Sequence, residues 1–279
     1  MPARQVILVT GCSSGIGRAT AIEAARRGHQ VFASARRRED VADLTAKGIE
    51  TLAIDVAEPA SVGEGVAATL AVAGRIDALV NNAGYGQYGA IEDVSPEEWR
   101  TQFEVNVFGA LAVLRAVLPG MRAARRGTVV NVSSLAGKVT VPFAGAYCAS
   151  KHALEAISDA LRVELAPWKI RVVVVEPGPI QTHFGDRSRQ ATARILATPG
   201  PYSAFYENAE RAGEKDFQRC RRRPEAVARV IVRAIESKRP RTRYRIAPLA
   251  RIMVPLKGLT SDRFLDRRMK RILKLPDNI

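Results

Sequence analysis

Short, continuously apolar runs alternate with longer segments of helical periodicity through the first 180 residues of the chain. The apolar runs predict strands that are buried on both faces, and they cover residues 5–10, 30–35, 51–54, 77–80, 127–133 and 170–175. The periodic segments predict helices over about residues 18–27, 59–74, 96–121 and 146–165. This alternation predicts an α/β fold, a single-domain doubly wound parallel sheet with helices on both faces.

The pattern is weaker after the sixth strand. Residues 181–223 show no strand pattern and only a loose helix over 203–219, and so long a segment in a compact domain is typical of a lid or binding loop. The elements predicted beyond it are a helix over 224–238, a strand over 244–246 and a basic amphipathic helix over 262–275. We therefore predict a main domain over residues 1–248, with a lid at about 181–223, and a basic amphipathic extension over 249–279.

The positive charge of the chain is concentrated in its C-terminal part. Residues 219–279 contain 19 Lys and Arg against 5 Asp and Glu, a net charge of +14 out of a total of +15. A basic amphipathic helix there can lie on an anionic membrane, or it can pack against its own domain or a second subunit, which we favour. Because no stacking aromatic residues are interleaved with the basic ones, we expect no nucleic-acid partner.

Cysteine usage and apolar segments limit the other classes of protein. Cys12, Cys148 and Cys220 show no CxxC spacing, which argues against a zinc site or a disulfide framework and favours a cytoplasmic location without a metal. We expect neither a secretory signal nor a membrane-spanning helix, because the longest apolar stretch of residues 96–121, at 110–118, carries Arg115.

A glycine-rich turn joins the first strand to the first helix. Residues 10–17 read TGCSSGIG, in the strand–turn–helix context that a dinucleotide-binding motif requires. Gly11 would allow the tight turn, Gly15 would let the backbone approach a pyrophosphate, and Gly17 would permit close packing of helix on strand. The motif therefore predicts a Rossmann-type dinucleotide site.

The residues after the second and third strands bear on which dinucleotide binds. No acidic residue stands at the C-terminal end of the second strand, at 35–38, whereas Arg36 could donate two hydrogen bonds to a 2′-phosphate, so we favour NADP(H) over NAD(H). Asp55 could accept a hydrogen bond from the adenine amine, or it could cap the helix over 59–74. The NNAG sequence at 81–84 could form the floor for the adenine ribose, or a left-handed turn.

Tyr147 and Lys151 are four residues apart in a predicted helix, so their side chains leave the same face. A neighbouring cation favours the phenolate and would lower the pKa of the Tyr147 phenol from about 10 toward neutral, although a cationic cofactor or a dry pocket would have to help. Ser134 precedes Tyr147 by thirteen residues across a predicted loop that can bring the two hydroxyls together. Asn106, inside an apolar helix, either is hydrogen-bonded within the core or holds water at the active site.

Taken together, these motifs and the PG pair at 177–178 resemble the short-chain dehydrogenase/reductase family over about residues 4–182, and AYCASKHALE at 146–155 resembles its 17β-hydroxysteroid and retinol dehydrogenase branch. The resemblance implies that Tyr147 exchanges a proton with the substrate oxygen, to which Ser134 hydrogen-bonds. It implies that Lys151 binds the nicotinamide ribose, that Asn106 seats a water, and that Thr182 holds the carboxamide. The implied cofactor-binding residues are Gly11, Ser13, Ser14, Gly15, Ile16, Gly17, Arg36, Asp55, Val56, Asn82, Ala83, Gly84, Tyr147, Lys151, Pro177, Gly178, Ile180 and Thr182.

In that family the segment matching residues 181–223 covers the substrate. Its apolar residues, together with Tyr88 and Phe143, suggest an apolar alcohol or ketone such as a steroid, retinoid or lipid; ordinary packing explains the same residues. The predicted substrate contacts are Ser134, Tyr147, Phe143 and Phe184. We expect a homodimer or homotetramer. The alternatives are a catalytically silent cofactor sensor, which the intact Ser134, Tyr147 and Lys151 disfavour, and a membrane adaptor acting through the tail.

Overall fold

One parallel sheet is the centre of the computed structural model, which describes residues 3–182, 184–206, 208, 222–246, 254 and 260–273. Its strands in these residues are β1 Val6–Val9, β2 Gln30–Ala35, β3 Glu50–Ala53, β4 Ala78–Asn81, β5 Gly127–Val132, β6 Ile170–Glu176 and β7 Arg243–Arg245. They lie in the order β3-β2-β1-β4-β5-β6-β7, which confirms the predicted doubly wound sheet. The order reverses next to β1, and ligands of such sheets bind where it reverses, at the carboxyl ends of the strands.

Helices cover both faces of this sheet. The described helices are α1 Gly15–Arg26, α2 Pro59–Ala73, α3 Pro96–Phe103, α4 Gly109–Ala123, α5 Gly145–Glu164, α6 Phe184–Ala197, α7 Pro224–Glu236 and α8 Asp262–Leu273, with a 3₁₀ segment over Arg38–Lys47. Successive residues of β1 point to opposite faces, so Ile7 and Val9 pack with α1 and α7 while Leu8 packs with α2 and α4. Burial on both faces explains why the strands read as continuous apolar runs.

The long helix predicted over 96–121 is interrupted. It begins at a capping box formed by Ser95 and Glu98, and a π-helical turn over Glu104–Phe108 separates α3 from α4. Contrary to expectation, the combined helix Pro96–Ala123 contains an 18-residue stretch with a mean hydropathy of 1.4, so by length and composition alone it is long and apolar enough to cross a membrane. Its apolar residues Val113 and Val117 are buried in the core, so the composition of α4 is also that of a core helix.

Helix α6 was not predicted, since residues 181–223 were expected to contain only a loose helix over 203–219. Its buried positions are Ser188, Thr192 and Ile195, which follow helical spacing but are largely polar, so apolar periodicity does not reveal them. Of the predicted helix, residues 203–206 are helical and most of the remainder lies outside the described residues. Much of the extension over 249–279 lies outside them too, although α8 has the predicted helical structure.

Candidate active site

Helix α5 presents Tyr147 and Lys151 at the carboxyl edge of the sheet. The Lys151 ammonium nitrogen lies 6.0 Å from the centroid of the Tyr147 ring. The same nitrogen donates a hydrogen bond of 2.9 Å to the carbonyl oxygen of Val132, which ends β5. The side chain of Lys151 is buried, whereas Tyr147 is half-buried. The two predicted residues therefore leave one face of the helix and meet beside the end of a central strand.

Ser134 lies just beyond β5 and completes this group. Its hydroxyl hydrogen-bonds the Tyr147 side chain, and its oxygen accepts a hydrogen bond of 3.1 Å from the backbone N–H of Ala136. The intervening loop folds back, and Phe143 in it has a positive φ of 63°, a conformation uncommon for an aromatic residue. The geometry thus brings the two hydroxyls together across thirteen residues of sequence.

The protein shifts the pKa values of Tyr147 and Lys151 in the directions that favour their neutral forms. Burial raises the pKa of Tyr147 well above its usual range, and nearby Tyr88 raises it further, although the hydrogen bond from Ser134 opposes the shift. Burial also lowers the pKa of Lys151 to about 8, which the charge of Glu155 partly opposes. The expectation that a dry pocket would help to lower the Tyr147 pKa was therefore wrong, because desolvation penalises the phenolate.

Asn106 lies in the π-helical turn and is hydrogen-bonded within the protein. Its Oδ1 accepts from the backbone N–H of Tyr85 at 3.1 Å, and its Nδ2 donates to the carbonyl of Tyr85 at 2.9 Å and to the Ser150 hydroxyl at 3.1 Å. Gly84 keeps this region close-packed, because a Cβ there would lie 2.9 Å from the Asn106 oxygen. The Asn106 amide is therefore hydrogen-bonded within the protein, and its role in holding a water stays a prediction.

The glycine turn and the NNAG segment are fastened to each other. Asn82 Nδ2 donates to the carbonyls of Thr10 and Gly11 at 2.9 and 3.0 Å. The Thr10 hydroxyl accepts from the N–H groups of Asn82 and Ala83, both at 3.1 Å, a role that the sequence analysis missed. A Cβ on Gly17 would lie 2.4 Å from both the Gly11 carbonyl and the Asn82 amide nitrogen, so Gly17 packs on the turn itself, whereas we expected it to pack on a strand.

The start of α1 lies beside the start of α6. A Cβ on Gly15, whose φ is +62°, would lie 3.1 Å from Cγ2 of Thr182, and the Thr182 hydroxyl accepts from the N–H of Phe184 at 3.2 Å. Helix N-termini favour anions, and a bare glycine backbone lets a ligand approach closely. This glycine-lined edge therefore fits the pyrophosphate of a dinucleotide.

The remaining predicted cofactor residues surround this edge. Arg36 is exposed just after β2, and Asp55 is half-buried just after β3. The Asp55 carboxylate accepts from the N–H of Ala57 at 3.1 Å, while Glu58 is the N-cap of α2, so the helix-cap alternative for Asp55 is wrong. Ser13 accepts a hydrogen bond of 2.6 Å from Arg187, and Ser14 is the N-cap residue of α1. Ile16 and Ile180 pack on the core beneath α1 and α7. Val56 is buried, and Pro177 and Gly178 follow β6.

Aromatic side chains near Tyr147 form two groups. The ring centroids of Tyr88 and Phe184 lie 6.2 and 5.6 Å from that of Tyr147. Phe143 instead packs with residues of the segment predicted to be a lid, with its centroid 5.4 Å from Tyr206 and 6.5 Å from Phe205. Of the predicted substrate aromatics, Phe184 therefore contacts the candidate catalytic tyrosine, and Phe143 belongs to a second cluster. No group of three potential His, Cys, Asp or Glu metal ligands occurs within the described ranges.

Comparison with known sequences defines the class of protein. The short chain dehydrogenase family matches residues 5–193, and the chain belongs to this family. It is 35% identical over 263 residues to the uncharacterized oxidoreductase YbbO of Escherichia coli (strain K12), covering 94% of this chain and 92% of that protein. It is 34% identical over 249 residues to a 3-ketodihydrosphingosine reductase of Bacteroides thetaiotaomicron, covering 89% and 90%. A third relative, the NADPH-dependent 3-dehydrocapnine reductase of Ornithobacterium rhinotracheale, is 35% identical over 276 residues and covers 96% of each chain.

Solved structures agree with this assignment. A short-chain dehydrogenase from Streptomyces avermitilis has a TM-score of 0.79 at 32% identity, covering 96% of this chain and 98% of that one. A family member from Burkholderia phymatum, in complex with NAD, has a TM-score of 0.81 at 26% identity, covering 92% and 93%. The chain is therefore an oxidoreductase of the family that acts on alcohol or ketone groups with a nicotinamide dinucleotide.

Proposed function

We propose that the chain is an NADP(H)-dependent oxidoreductase that interconverts an apolar ketone and its alcohol, with Tyr147 as the general acid/base. The observation that carries this proposal is the meeting of the Tyr147 and Ser134 hydroxyls beside the Lys151 ammonium, next to the rings of Tyr88 and Phe184 at the carboxyl edge of the sheet. No second function is favoured by a comparable observation.

In the reduction direction, Tyr147 would donate its proton to the substrate oxygen, and Ser134 would donate a hydrogen bond to the same oxygen. The raised Tyr147 pKa keeps the phenol protonated, as a proton donor requires, until negative charge develops on the substrate. Removing one such hydrogen-bond donor typically lowers kcat about 10²–10³-fold. When bound, the nicotinamide supplies or accepts the hydride. Lys151 would bind the nicotinamide ribose, Thr182 would hold the carboxamide, and Asn106 would orient this side of the site through the backbone of Tyr85.

The preference for NADP(H) rests on the end of β2. Ala35 and Arg36 occupy the place where an acidic residue would select NAD by binding the ribose hydroxyls. A guanidinium there can donate two hydrogen bonds to a 2′-phosphate. A relative of similar length is named for NADPH dependence, which supports the same choice. We propose that the cofactor-binding residues predicted from the sequence contact NADP(H). In this proposal Asp55 accepts a hydrogen bond from the adenine amine, and Asn82 holds the loop that forms the floor for the adenine ribose.

The proposed substrate is a lipid-like ketone or its alcohol. The rings of Tyr88 and Phe184 that flank Tyr147 make an apolar approach to the reacting oxygen, and the Phe143 cluster extends that surface. Relatives named for 3-ketodihydrosphingosine and 3-dehydrocapnine reduction support this class of substrate. A steroid or retinoid would satisfy the same apolar surface and is included in the test below.

We also propose the wider organisation of the protein. Residues 1–248 form the NADP-binding catalytic domain, with residues 181–223 as its substrate lid and 249–279 as a basic extension. A cytoplasmic homodimer or homotetramer would cover the apolar side chains of Phe108 and Val163, which are 52% and 73% exposed. The extension would pack on its own domain or a second subunit. A peripheral contact with anionic lipid through α8, where Phe264 is exposed among basic residues, is the alternative.

The test combines cofactor binding with a substrate screen. NADPH and NADH are titrated by fluorescence against the wild type and Arg36→Ala, and turnover is screened with 3-keto lipids, steroid ketones and retinal. We expect the NADPH preference to fall in Arg36→Ala and turnover of any accepted ketone to vanish in Tyr147→Phe, with cofactor binding retained. Binding of neither dinucleotide at micromolar concentrations, or unchanged turnover in Tyr147→Phe, would contradict the proposal.

A further inference from the structure

The first turn of α6 carries an arginine that reaches the glycine turn. The Arg187 guanidinium donates a hydrogen bond of 2.6 Å to the Ser13 hydroxyl, 174 residues away in sequence. Ser13 lies between Gly11 and Gly15, in the turn that fits the cofactor's phosphates. A side chain from the lid therefore extends to the adenosine side of the cofactor site, which no motif in the sequence indicated.

The surroundings of Arg187 have an excess of positive charge. Asp40 follows β2, and its pKa is lowered first by a hydrogen bond from Arg37, and then by the nearby charges of Arg37, Arg187 and Arg36. The charge of a second carboxylate, Glu39, acts on Arg37. The guanidinium groups of Arg36, Arg37 and Arg187 thus all act on the Asp40 carboxylate, close to the place where Arg36 is proposed to bind the 2′-phosphate. A phosphate dianion fits this excess, because the planar guanidinium forms paired hydrogen bonds with phosphate oxygens.

The same helix also contacts the candidate catalytic tyrosine. Phe184, three residues before Arg187, has its ring 5.6 Å from that of Tyr147. Further along α6, the hydroxyls of Ser188 and Thr192 accept from the N–H groups of Gly86 and Tyr88, both at 3.2 Å. One helix therefore joins the phosphate end of the cofactor site to the wall of the substrate cleft.

We propose that Arg187 is a second ligand of the cofactor's 2′-phosphate, and that this contact orders α6 over the substrate cleft. Arg187 is then a specificity-determining residue for NADP(H) and a positioning residue for the lid. The inference rests on the proposed NADP(H) dependence and deepens it. Binding of the 2′-phosphate holds the start of α6 in place and thereby fixes Phe184 beside Tyr147.

The binding test compares two dinucleotides that differ only in the 2′-phosphate. NADPH and NADH are titrated against the wild type, Arg187→Ala, Arg187→Lys and the matched control Arg189→Ala, which removes the same charge two residues along α6. Arg187→Ala should raise the Kd for NADPH about tenfold, the effect of roughly one charge-assisted contact, and leave the Kd for NADH within about twofold. Arg187→Lys should be intermediate and Arg189→Ala unchanged. An equal loss for both dinucleotides would overturn the inference, because it would place Arg187 at the pyrophosphate or in a structural role.

The ordering of α6 is tested without the nicotinamide. Hydrogen exchange in α6 is measured with adenosine 2′,5′-bisphosphate, which carries the 2′-phosphate, and with 5′-AMP, which lacks it. The bisphosphate should slow exchange in the wild type and not in Arg187→Ala, and 5′-AMP should have no effect; equal protection in both proteins would overturn the coupling. Arg36→Ala separates the two proposals. If the preference for NADPH is lost in Arg36→Ala but kept in Arg187→Ala, only the inference about Arg187 is removed and the proposed function stands. No preference for NADPH in the wild type would remove both.

Discussion

Lys151 donates a hydrogen bond of 2.9 Å from its ammonium group to the carbonyl oxygen of Val132, at the carboxyl end of β5. This bond fastens α5 to the sheet at the point where Tyr147 projects into the cleft. It also holds the Lys151 ammonium group in a buried position. Burial of this charge costs free energy, because the ammonium loses its hydration. The depressed pKa of Lys151 measures that cost.

Burial of Lys151 should make stability depend on pH in a defined direction. Its pKa is about 8 in the folded chain against an ordinary value of 10.5, so between these two pH values the unfolded chain binds a proton that the folded chain does not. The free energy of unfolding should therefore increase with pH over this window, by up to about 1.4 kcal/mol per pH unit from this group. Urea unfolding of wild type and Lys151→Met at pH 7.5 to 10 measures the difference, since the other groups titrate in both proteins. If the free energy of unfolding changes with pH by the same slope in both proteins, folding does not lower the pKa of Lys151.

Two glycines that differ only in their surroundings give a matched comparison. A Cβ on Gly17 would lie 2.4 Å from the Gly11 carbonyl, whereas a Cβ on Gly63, within α2, would meet nothing within 4 Å. Gly63→Ala should stabilise the protein by about 0.5–1 kcal/mol, because alanine loses less backbone entropy in a helix. Gly17→Ala should cost about 1–3 kcal/mol through overpacking and should weaken dinucleotide binding. Thermal unfolding and cofactor titration check both variants, and a Gly17→Ala protein as stable as wild type would contradict the packing described here.

Arg243 of β7 pairs with three carboxylates, of which those of Glu155 and Glu176 are buried and that of Asp159 is partly exposed. It bonds Glu155 at 3.1 Å, Asp159 at 2.6 Å and Glu176 at 3.2 Å. Arg243→Ala should cost about 1.5–3 kcal/mol at pH 8, because it removes charged hydrogen bonds while each carboxylate keeps a second partner, namely Lys138, Arg162 and Arg245.

The pH dependence of this variant follows from Glu176. Burial already raises the Glu176 pKa, so this group binds more protons in the folded chain, and its contribution to stability falls as the pH rises. Loss of Arg243 should raise that pKa further and make the destabilisation smaller at pH 5 than at pH 8. Denaturant unfolding at the two pH values measures this, with exposed Arg239→Ala as the control. A larger loss of stability at pH 5 than at pH 8 would contradict the role given to the pairing of Arg243 with Glu176.

The sheet was predictable because its strands are buried on both faces, which gives continuous apolar runs such as that of β1. The glycine turn, Tyr147 and Lys151 were also found from the sequence, since their spacing follows directly from turn and helix geometry. Helix α6 was missed because Ser188 and Thr192, two of its buried residues, are polar and bond backbone N–H groups of a distant segment. Arg187 was missed for a related reason, because its partner Ser13 is close only in the folded chain.

The directions of the pKa shifts at the candidate active site could not be predicted from the sequence either. The spacing of Tyr147 and Lys151 indicates attraction between a phenolate and an ammonium, but it does not give the depth of burial. The structure shows that desolvation raises the pKa of Tyr147, and that Lys151 is itself shifted toward its neutral form. The sign of such a shift depends on how much water remains around each group, which is a property of the whole packed fold.

Asn106 offers a test that separates a structural role from a role in proton transfer. Its amide pairs both backbone groups of Tyr85, and the Tyr85 carbonyl also accepts from Gln102, so Asn106→Ala would leave only the Tyr85 N–H without its partner, at about 1–3 kcal/mol. If its function is to hold the segment that follows Tyr85, the variant should raise KM, because Tyr88 in that segment flanks Tyr147.

A role in proton transfer would instead lower kcat and shift its pH profile with KM unchanged. We expect the first result, since all three hydrogen bonds of the Asn106 amide are made within the protein. Ser150→Ala is the matched control, because it removes one partner of the Asn106 amide and leaves the Tyr85 bonds in place. Steady-state kinetics from pH 6 to 9, with unfolding measured on the same proteins, distinguish the outcomes. A kcat pH profile that moves in Asn106→Ala and not in Ser150→Ala would assign Asn106 to the proton path.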